Sequence, residues 1–243
     1  MEFCRIHLDE VDSTNNYAAN WLYMTKSVQP AVITARVQHK GRGQRENQWI
    51  SPKNQNLTCS FIAFPKDVTI DTLGYLNKGV ANAVHKTLST FLAKPIDIKW
   101  PNDLWIQGKK IAGILIENTL RSQWVTHSII GVGINVNQAF DSQQPWCSLL
   151  SITQRSHSIE EVLQLLQIEI SSLMKKLEQM EYASIDEYYH QNLLNMGQII
   201  SYQCNGSEQK GWVKGVDQWG RIILQKDGHT AAYHHGEVVI QYH

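Results

Sequence analysis

The sequence predicts an α/β (α+β) protein: strands and amphipathic helices alternate over residues 1–195, and a small all-β module follows over residues 196–243. Three observations carry this. Apolar, β-branched runs at 31–37, 57–64, 111–116 and 124–136 are each bounded by turn residues. Two stripes follow helical spacing, Leu73, Leu76, Val80, Val84, Leu88 and Phe91, then Ile159, Leu163, Leu166, Ile170, Leu173 and Leu177. From about Met196 the texture changes to short alternating segments separated by Asn205-Gly206, Trp219-Gly220 and Asp227-Gly228, which predicts a small β-barrel or sandwich.

Composition narrows the function classes. With 42% hydrophobic content, 243 residues can bury one substantial core plus a small satellite. The 22 basic and 22 acidic side chains cancel, so general binding to nucleic acid or an anionic membrane has no electrostatic support, and an anionic ligand has to be caught by a local cluster. Cys4, Cys59, Cys147 and Cys204 are widely spaced, which suggests free thiols and neither a zinc site nor a disulfide framework. No signal peptide pattern or membrane-length apolar run is present, and the expectation is a soluble cytoplasmic protein.

Along the chain, residues 3–8 alternate as a strand, and Asp12-Ser13-Thr14-Asn15 stands before the apolar positions Tyr17, Ala18, Trp21 and Leu22 of a helix. A cap employs one or two of those polar side chains, leaving the others for a small polar ligand. The strand at 31–37 delivers the chain to a loop, Gln38 to Asn47, in which Gly41 and Gly43 flank Arg42, and Arg45 follows. Glycines there permit close backbone approach, and the arginines can pair with carboxylate or phosphate oxygens. Asp71 is placed as the N-cap of the first long helix, whose His85 reads as a satisfied or surface histidine. Gly131-Val132-Gly133 lacks the third glycine and following helix of a dinucleotide motif, so it reads as a strand against which something packs closely. Ser158-Ile159-Glu160-Glu161 opens the second long helix in capping-box form, and His234-His235 fall on opposite strand faces, against joint metal binding.

The stretch Lys99 to Glu117 carries the most chemistry. Pro101 ends an apolar strand, Asn102 and Asp103 follow, and a turn at Gly108 leads through Lys109 and Lys110 into Ile111 to Ile116. Read as a hairpin, it gathers Asn102, Asp103 and Lys110 beside bare backbone at Ala112-Gly113, a place for a flat ligand.

Taken together, Asp12-Ser13-Thr14-Asn15, Gln38 with Gly41-Arg42-Gly43 and Trp49-Ile50-Ser51-Pro52, Lys99 to Asp103, Lys110 to Glu117 and Gly131 to Asn135 resemble, in order and spacing, the biotin protein ligases, or biotin–[biotin carboxyl carrier protein] ligases. The C-terminal Gly211 to Leu224 and His234 to Ile240 are similar to the family's small SH3-like domain. The resemblance implies a mixed β-sheet backed by helices, related to class II aminoacyl-tRNA synthetases. It also implies a two-step reaction on ATP and biotin with Mg2+: biotinyl-5′-AMP forms, then a lysine of a biotin carboxyl carrier protein (acetyl-CoA carboxylase) takes the acyl group. Because the family pattern begins at once with Phe3, the expectation is a form without the N-terminal DNA-binding domain and its repressor function. A homodimer is left open.

On the same resemblance, Lys110 bridges the biotin carboxylate and the α-phosphate, with Arg42 and Asp103 as its catalytic companions. Ser13, Thr14, Asn15, Gln38, Gly41, Arg42, Gly43, Gln44, Lys110 and Gly113 match the biotin-binding positions. Arg42, Arg45, Trp49, Asn102, Lys110 and Asn135 are expected on the ATP side, Trp49 covering the ligand by stacking. Asp103 is assigned either the acceptor lysine or a magnesium shell, with no resident metal site. Two positions depart from the family: Glu46 stands where a glycine is usual and Gln44 where an arginine is common, which puts retention of the adenylate in question. The runner-up is a lipoate or octanoate ligase or transferase of the same fold, and a non-catalytic biotin- or nucleotide-binding regulator is the rival of another class.

Overall fold

Strand β1 (Cys4–Val11) lies parallel to β2 (Ala31–Gln38) because helix α1 (Thr14–Thr25) carries the chain back between them. This is a computed structural model, describing residues 2–44 and 47–242. Antiparallel strands continue the sheet: β3 (Leu57–Ala63), then, after α2 (Leu73–Ser89), β4 (Asp97–Lys99), β5 (Asp103–Ile106), β6 (Lys109–Arg121) and β7 (Trp124–Ile134). The order β1-β2-β3-β7-β6-β5-β4 makes one mixed seven-stranded sheet. Helices α3 (Leu149–Thr153), α4 (Ile159–Glu178) and α5 (Tyr182–Gln191) follow. Strands β8 (Ile199–Cys204), β9 (Ser207–Val216), β10 (Ile222–Lys226), β11 (His229–Tyr233) and β12 (Val238–Gln241) form a second, antiparallel sheet of order β11-β10-β9-β8-β12. This sheet is the small β module that the short alternating segments after Met196 predicted.

The pleat divides the large sheet into two unlike faces. Leu57, Cys59, Phe61, Ala112, Ile114, Ile130 and Val132 belong to the main core with Leu76, Val80 and Val84 of α2 and Leu166, Ile170 and Leu173 of α4. Both predicted stripes are therefore buried as expected. A Cβ on Gly79 would strike the Leu173 side chain, so the α2–α4 crossing requires that glycine. The opposite face is covered only in part: Ala18 of α1 packs on Ala31, Ile33, Ile62 and Ile129. Beyond α1 that face carries a strip of glycines: Gly113 pairs with Gly133, and Gly131 lies between Ser60 and Leu115.

Several sequence expectations change. The hairpin from Lys99 to Glu117 contains a further strand, β5, which re-enters the sheet at Asp103 and pairs with β4 on one side and β6 on the other. Asp71 is not a helix cap: a 3-10 turn (Ile70–Thr72) precedes α2, Thr69 and Thr72 bond to one another, and Asp71 accepts from Trp219 Nε1 at 3.3 Å. Helices α3 and α5 are short and were not legible from periodicity. The chain's helices include none long and apolar enough to cross a membrane among the described residues.

The two sheets are tied through the helical layer. Lys78 of α2, only 2% exposed, donates to Asp186 of α5 and to the carbonyls of Val216 and Asp217 at 3.4 and 3.1 Å. Gly74 N donates to Gln218 O at 3.0 Å, where a Cβ would collide with that carbonyl. His85 is a satisfied core histidine, its ring nitrogens 2.9 Å from Tyr188 Oη and 3.0 Å from Ile96 O. Burial pushes its pKa below the ordinary 6.5, as it does for His127, His157 and His190. The unfolded chain then binds more protons just below pH 6.5, so stability falls as pH drops through that region. The urea midpoint is expected to decrease from pH 7.5 to pH 5.5, and less steeply in His85→Gln; an unchanged slope in that variant would contradict the assignment.

Candidate active site

A cavity of about 350 Å³ opens above the glycine strip, a size suited to a small organic ligand. One end is uncharged and polar. The Thr14 amide and hydroxyl both donate to Gln38 Oε1, at 2.8 and 3.0 Å. This fixes the Gln38 amide and leaves its NH2 group without a partner among the described residues, in the cavity wall. Ser13 is the N-cap residue of α1, yet its side chain makes no cap bond. The capping role weighed for this cluster is thus not taken up by Ser13, whose hydroxyl lines the cavity with Thr14 and Asn15.

Asn15 is held from two sides. Its Nδ2 donates to Glu117 Oε2 at 2.7 Å, and its Oδ1 lies 2.6 Å from Ser60 Oγ. A carboxylate accepts only, so Glu117 sets which way the amide faces. Ser60, fully buried, also stands 2.7 Å from Thr14 Oγ1. Sequence reasoning missed Ser60 and gave Glu117 no role. The signal was present in LTCSFIA, where Thr58 and Ser60 are the polar residues two apart on the face shared with Gly131 and Gly133.

The glycine loop folds back on itself: Trp49 N donates to Gly41 O at 2.9 Å and Gly43 N to Asn47 O at 2.8 Å. A Cβ at Gly41 would strike Trp49 O and approach Gln38 Nε2 to 3.1 Å, which explains the glycine. Arg42 is engaged away from the cavity's cationic end, its guanidinium pairing with Glu117 Oε1 and donating to Asn16 Oδ1 at 2.6 Å. Gln44 lines the cavity, whereas Arg45 and Glu46 lie outside the described residues.

Trp49 revises the expectation of a bare floor. Its ring lies on Gly133, where a Cβ would clash with it, and 3.3 Å from where a Gly113 Cβ would be. The side chain that was expected to cover a ligand here covers the backbone itself, and its Nε1 is buried with no hydrogen-bond partner among the described residues. Gly131 is likewise covered, by Asn15.

The other end of the cavity is charged. Lys99 and Lys110 line it, and Asp103 is the single carboxylate in the cavity lining among the described residues. Lys110 Nζ pairs with Asp103 Oδ1 at 2.7 Å, and its backbone is fixed by N–H to Pro145 O and by Cys147 N to its own carbonyl, both 2.9 Å. Its ammonium stands 3.1 Å from an ideal Gly113 Cβ and 5.7 Å from the Trp49 ring centroid. Lys109 turns out of the cavity and donates to Ser142 O. Asn102 is in the wall, with its amide on Ile114 O and its carbonyl accepting from Ile114 N at 3.0 Å. Asn135 is not: buried, it donates to Cys147 O at 3.0 Å and holds the 137–149 segment to the sheet. The segment from His235 to Tyr242 supplies a further wall that sequence reasoning did not anticipate.

A mixed sheet with a glycine-floored cavity, uncharged hydrogen-bonding groups at one end and clustered lysines at the other defines a class of acyl-activating enzymes, and the comparisons agree. Residues 8–135 match the family model described as Biotin/lipoate A/B protein ligase family, and this chain belongs to that family. It is 27% identical over 245 residues to the bifunctional ligase/repressor BirA of Escherichia coli, covering 96% of this chain and 73% of that protein. With the biotin–[acetyl-CoA-carboxylase] ligase of Paracoccus denitrificans it shares 28% identity over 203 residues, 80% of this chain and 84% of the other. The solved biotin protein ligase from Aquifex aeolicus, in complex with biotin and ATP, superposes with a TM-score of 0.81 at 26% identity, covering 98% of each chain.

Glu117 anchors both Arg42 and Asn15, so Glu117→Ala is expected to free the glycine loop. Limited tryptic cleavage after Lys40 and Arg42, followed by mass spectrometry, should accelerate about tenfold over the parent chain; equal rates would show that the ion pair does not hold the loop.

Proposed function

We propose that this chain activates biotin with ATP as biotinyl-5′-AMP and transfers the biotinyl group to a lysine of a biotin carboxyl carrier protein, such as that of acetyl-CoA carboxylase. The observation that carries the reading is the placement of Lys110: a cation rigidly held at the charged end of a cavity whose other end presents Ser13, Thr14, Asn15 and Gln38. A ureido ring needs both donors and an acceptor when buried, and the Ser13 hydroxyl and Gln38 NH2, without partners among the described residues, match that demand. The relatives named as biotin ligases, and the neighbour holding biotin and ATP, support the same substrates.

The first step brings two anions together. A carboxylate oxygen attacks the α-phosphorus and pyrophosphate leaves. Lys110 would offset the repulsion by exchanging Asp103 for substrate oxygens, and Arg42 would do so by leaving Glu117. In the second step a carrier lysine attacks the acyl carbon and AMP departs. Closure of the 41–49 loop over the adenylate would exclude water from a hydrolysable acyl phosphate. Magnesium, when bound, neutralises phosphate charge. Among the described residues no cluster of three His, Cys, Asp or Glu could hold it, so it would ride on the phosphates with Asp103 as the cavity carboxylate available to it. We assign the activation chemistry to residues 1–195 and take residues 196–243 as an SH3-like module, a division supported by the second sheet beginning at Ile199. A cytoplasmic location is part of the same proposal.

Incubation of the purified chain with ATP, magnesium and either biotin or lipoate, followed by mass analysis of a carrier domain, tests the reading: biotinyl transfer is expected, and lipoyl transfer without biotinyl transfer would overturn it. Lys110→Ala should lower biotin-dependent ATP–pyrophosphate exchange by ~10²–10³, while Lys109→Ala stays near the parent rate. Like behaviour of the two variants would contradict the role given to Lys110. With Gln44 in the loop, release of free biotinyl-AMP measured by chromatography should slow in Gln44→Arg; an unchanged rate would show that this position does not govern retention.

A further inference from the structure

The cavity holds one more cation than the adenylation step described above employs. Lys99, at the end of β4, projects its ammonium between two rings, 3.7 Å from the Trp105 centroid and 4.5 Å from that of Tyr242. The rings are 6.3 Å apart and inclined by 45°. Trp105 belongs to β5, but Tyr242 directly follows β12 of the second sheet, and its hydroxyl ties it to the end of β4 by donating to Trp100 O at 3.2 Å. Trp100 is itself held by the second sheet, donating from Nε1 to Gly220 O at 2.9 Å. All four side chains belong to the corner where the two sheets meet, and Lys99, Trp100 and Tyr242 line the cavity.

Ring faces stabilise a cation but do not accept its hydrogen bonds as an anion does. Lys99 is half-buried, and burial pushes its pKa below the ordinary lysine value, tempered by the nearby Asp103 carboxylate. That carboxylate is already paired with Lys110. Among the described residues the Lys99 ammonium has no hydrogen-bond or ion-pair partner. A half-desolvated triple donor held in a fixed place without an acceptor is costly unless a ligand supplies one. The open side of the cage is the cavity, and the ligand group able to satisfy it there is a multiply charged oxyanion.

We propose that Lys99 binds the phosphate chain of the nucleotide beyond the α-phosphate, the part that leaves as pyrophosphate, and that Tyr242 is the positioning residue with which the second sheet holds Lys99 in place. This deepens the ligase reading and rests on it for the identity of the nucleotide. It also gives the C-terminal sheet a direct part in the site: the cage cannot form from the large sheet alone.

The test uses the full chain and two readouts. In steady-state kinetics, Lys99→Met should raise KM for ATP by about tenfold or more, the loss of a charge-assisted hydrogen bond, with KM for biotin changed by less than about twofold. By calorimetry, inorganic pyrophosphate alone should bind the parent chain and bind Lys99→Met correspondingly less well. Tyr242→Leu should reproduce both effects, Tyr242→Phe, which keeps the ring but loses the bond to Trp100 O, should fall between the parent and Tyr242→Leu, and Tyr242→Leu should add nothing in the Lys99→Met background. Unaltered KM for ATP and unaltered pyrophosphate affinity in Lys99→Met would overturn the proposal. So would an equal cost of Tyr242→Leu with and without Lys99, which would mark Tyr242 as structural only. Loss of pyrophosphate binding in Lys99→Met within a chain that activates no biotin would support the anion site while refuting the ligase reading. Should Tyr242→Leu not fold, Lys99→Met and Tyr242→Phe still decide the assignment of Lys99.

Discussion

The site depends on a strip of sheet without side chains. Gly113 and Gly133 face each other across β6 and β7, and Gly131 sits one pleat away on the same face, opposite Ser60. Any Cβ at 131 or 133 would meet Asn15 or Trp49. The strip lets the polar residues at the start of α1 lie against the sheet at one side and admits the indole of the glycine loop at the other. The opposite face of the same strands is fully packed by α2 and α4, so the strands that form the floor are anchored by the core beneath it. Pocket and core are two sides of one pleated surface, and period-2 alternation separates them.

Electrostatics follows from that geometry. The cations brought to the cavity are partly withdrawn from water, and each is stabilised locally in the substrate-free protein. Lys110 has Asp103, Arg42 has Glu117, and Lys99 has two aromatic faces. The Arg42–Glu117 pair is solvent-accessible, where an ion pair is worth little, and for Lys110 and Lys99 one carboxylate or two ring faces are weaker partners than a multiply charged competitor. A site preloaded with weak internal anions can therefore take up stronger external ones without a large change in its own charge. The ion pair of Arg42 also couples the loop to Asn15 through one carboxylate, linking the groups proposed for the head group to those proposed for the phosphate.

Much of this was legible in the residues themselves. Both amphipathic stripes, the strands around Gly41-Arg42-Gly43 and the short strands from Met196 onward follow from periodicity and turn chemistry, and Asn205-Gly206 and Asp227-Gly228 do adopt the left-handed turns their sequence implies. Three things were hidden. The strand between Pro101 and Gly108 is too short for a periodic signal, so its insertion shows only through pairing with β6. Trp49 as a cover for glycine backbone, and Asn135 as a pin for a loop, depend on which atoms are left unpaired in three dimensions. The part played by Glu117, Ser60 and Tyr242 is non-local: each acts on a residue far away in the chain, and no window of sequence contains both partners.

The most direct test of the central claim is calorimetric titration of biotin into Gly133→Val, with its unfolding midpoint measured alongside. The added side chain must displace Trp49 from the floor, and overpacking of this kind costs about 1–3 kcal/mol. Biotin affinity at least about tenfold weaker in a folded variant is the predicted result; affinity equal to that of the parent chain would show that the glycine strip and the Trp49 ring seated on it do not shape the binding site.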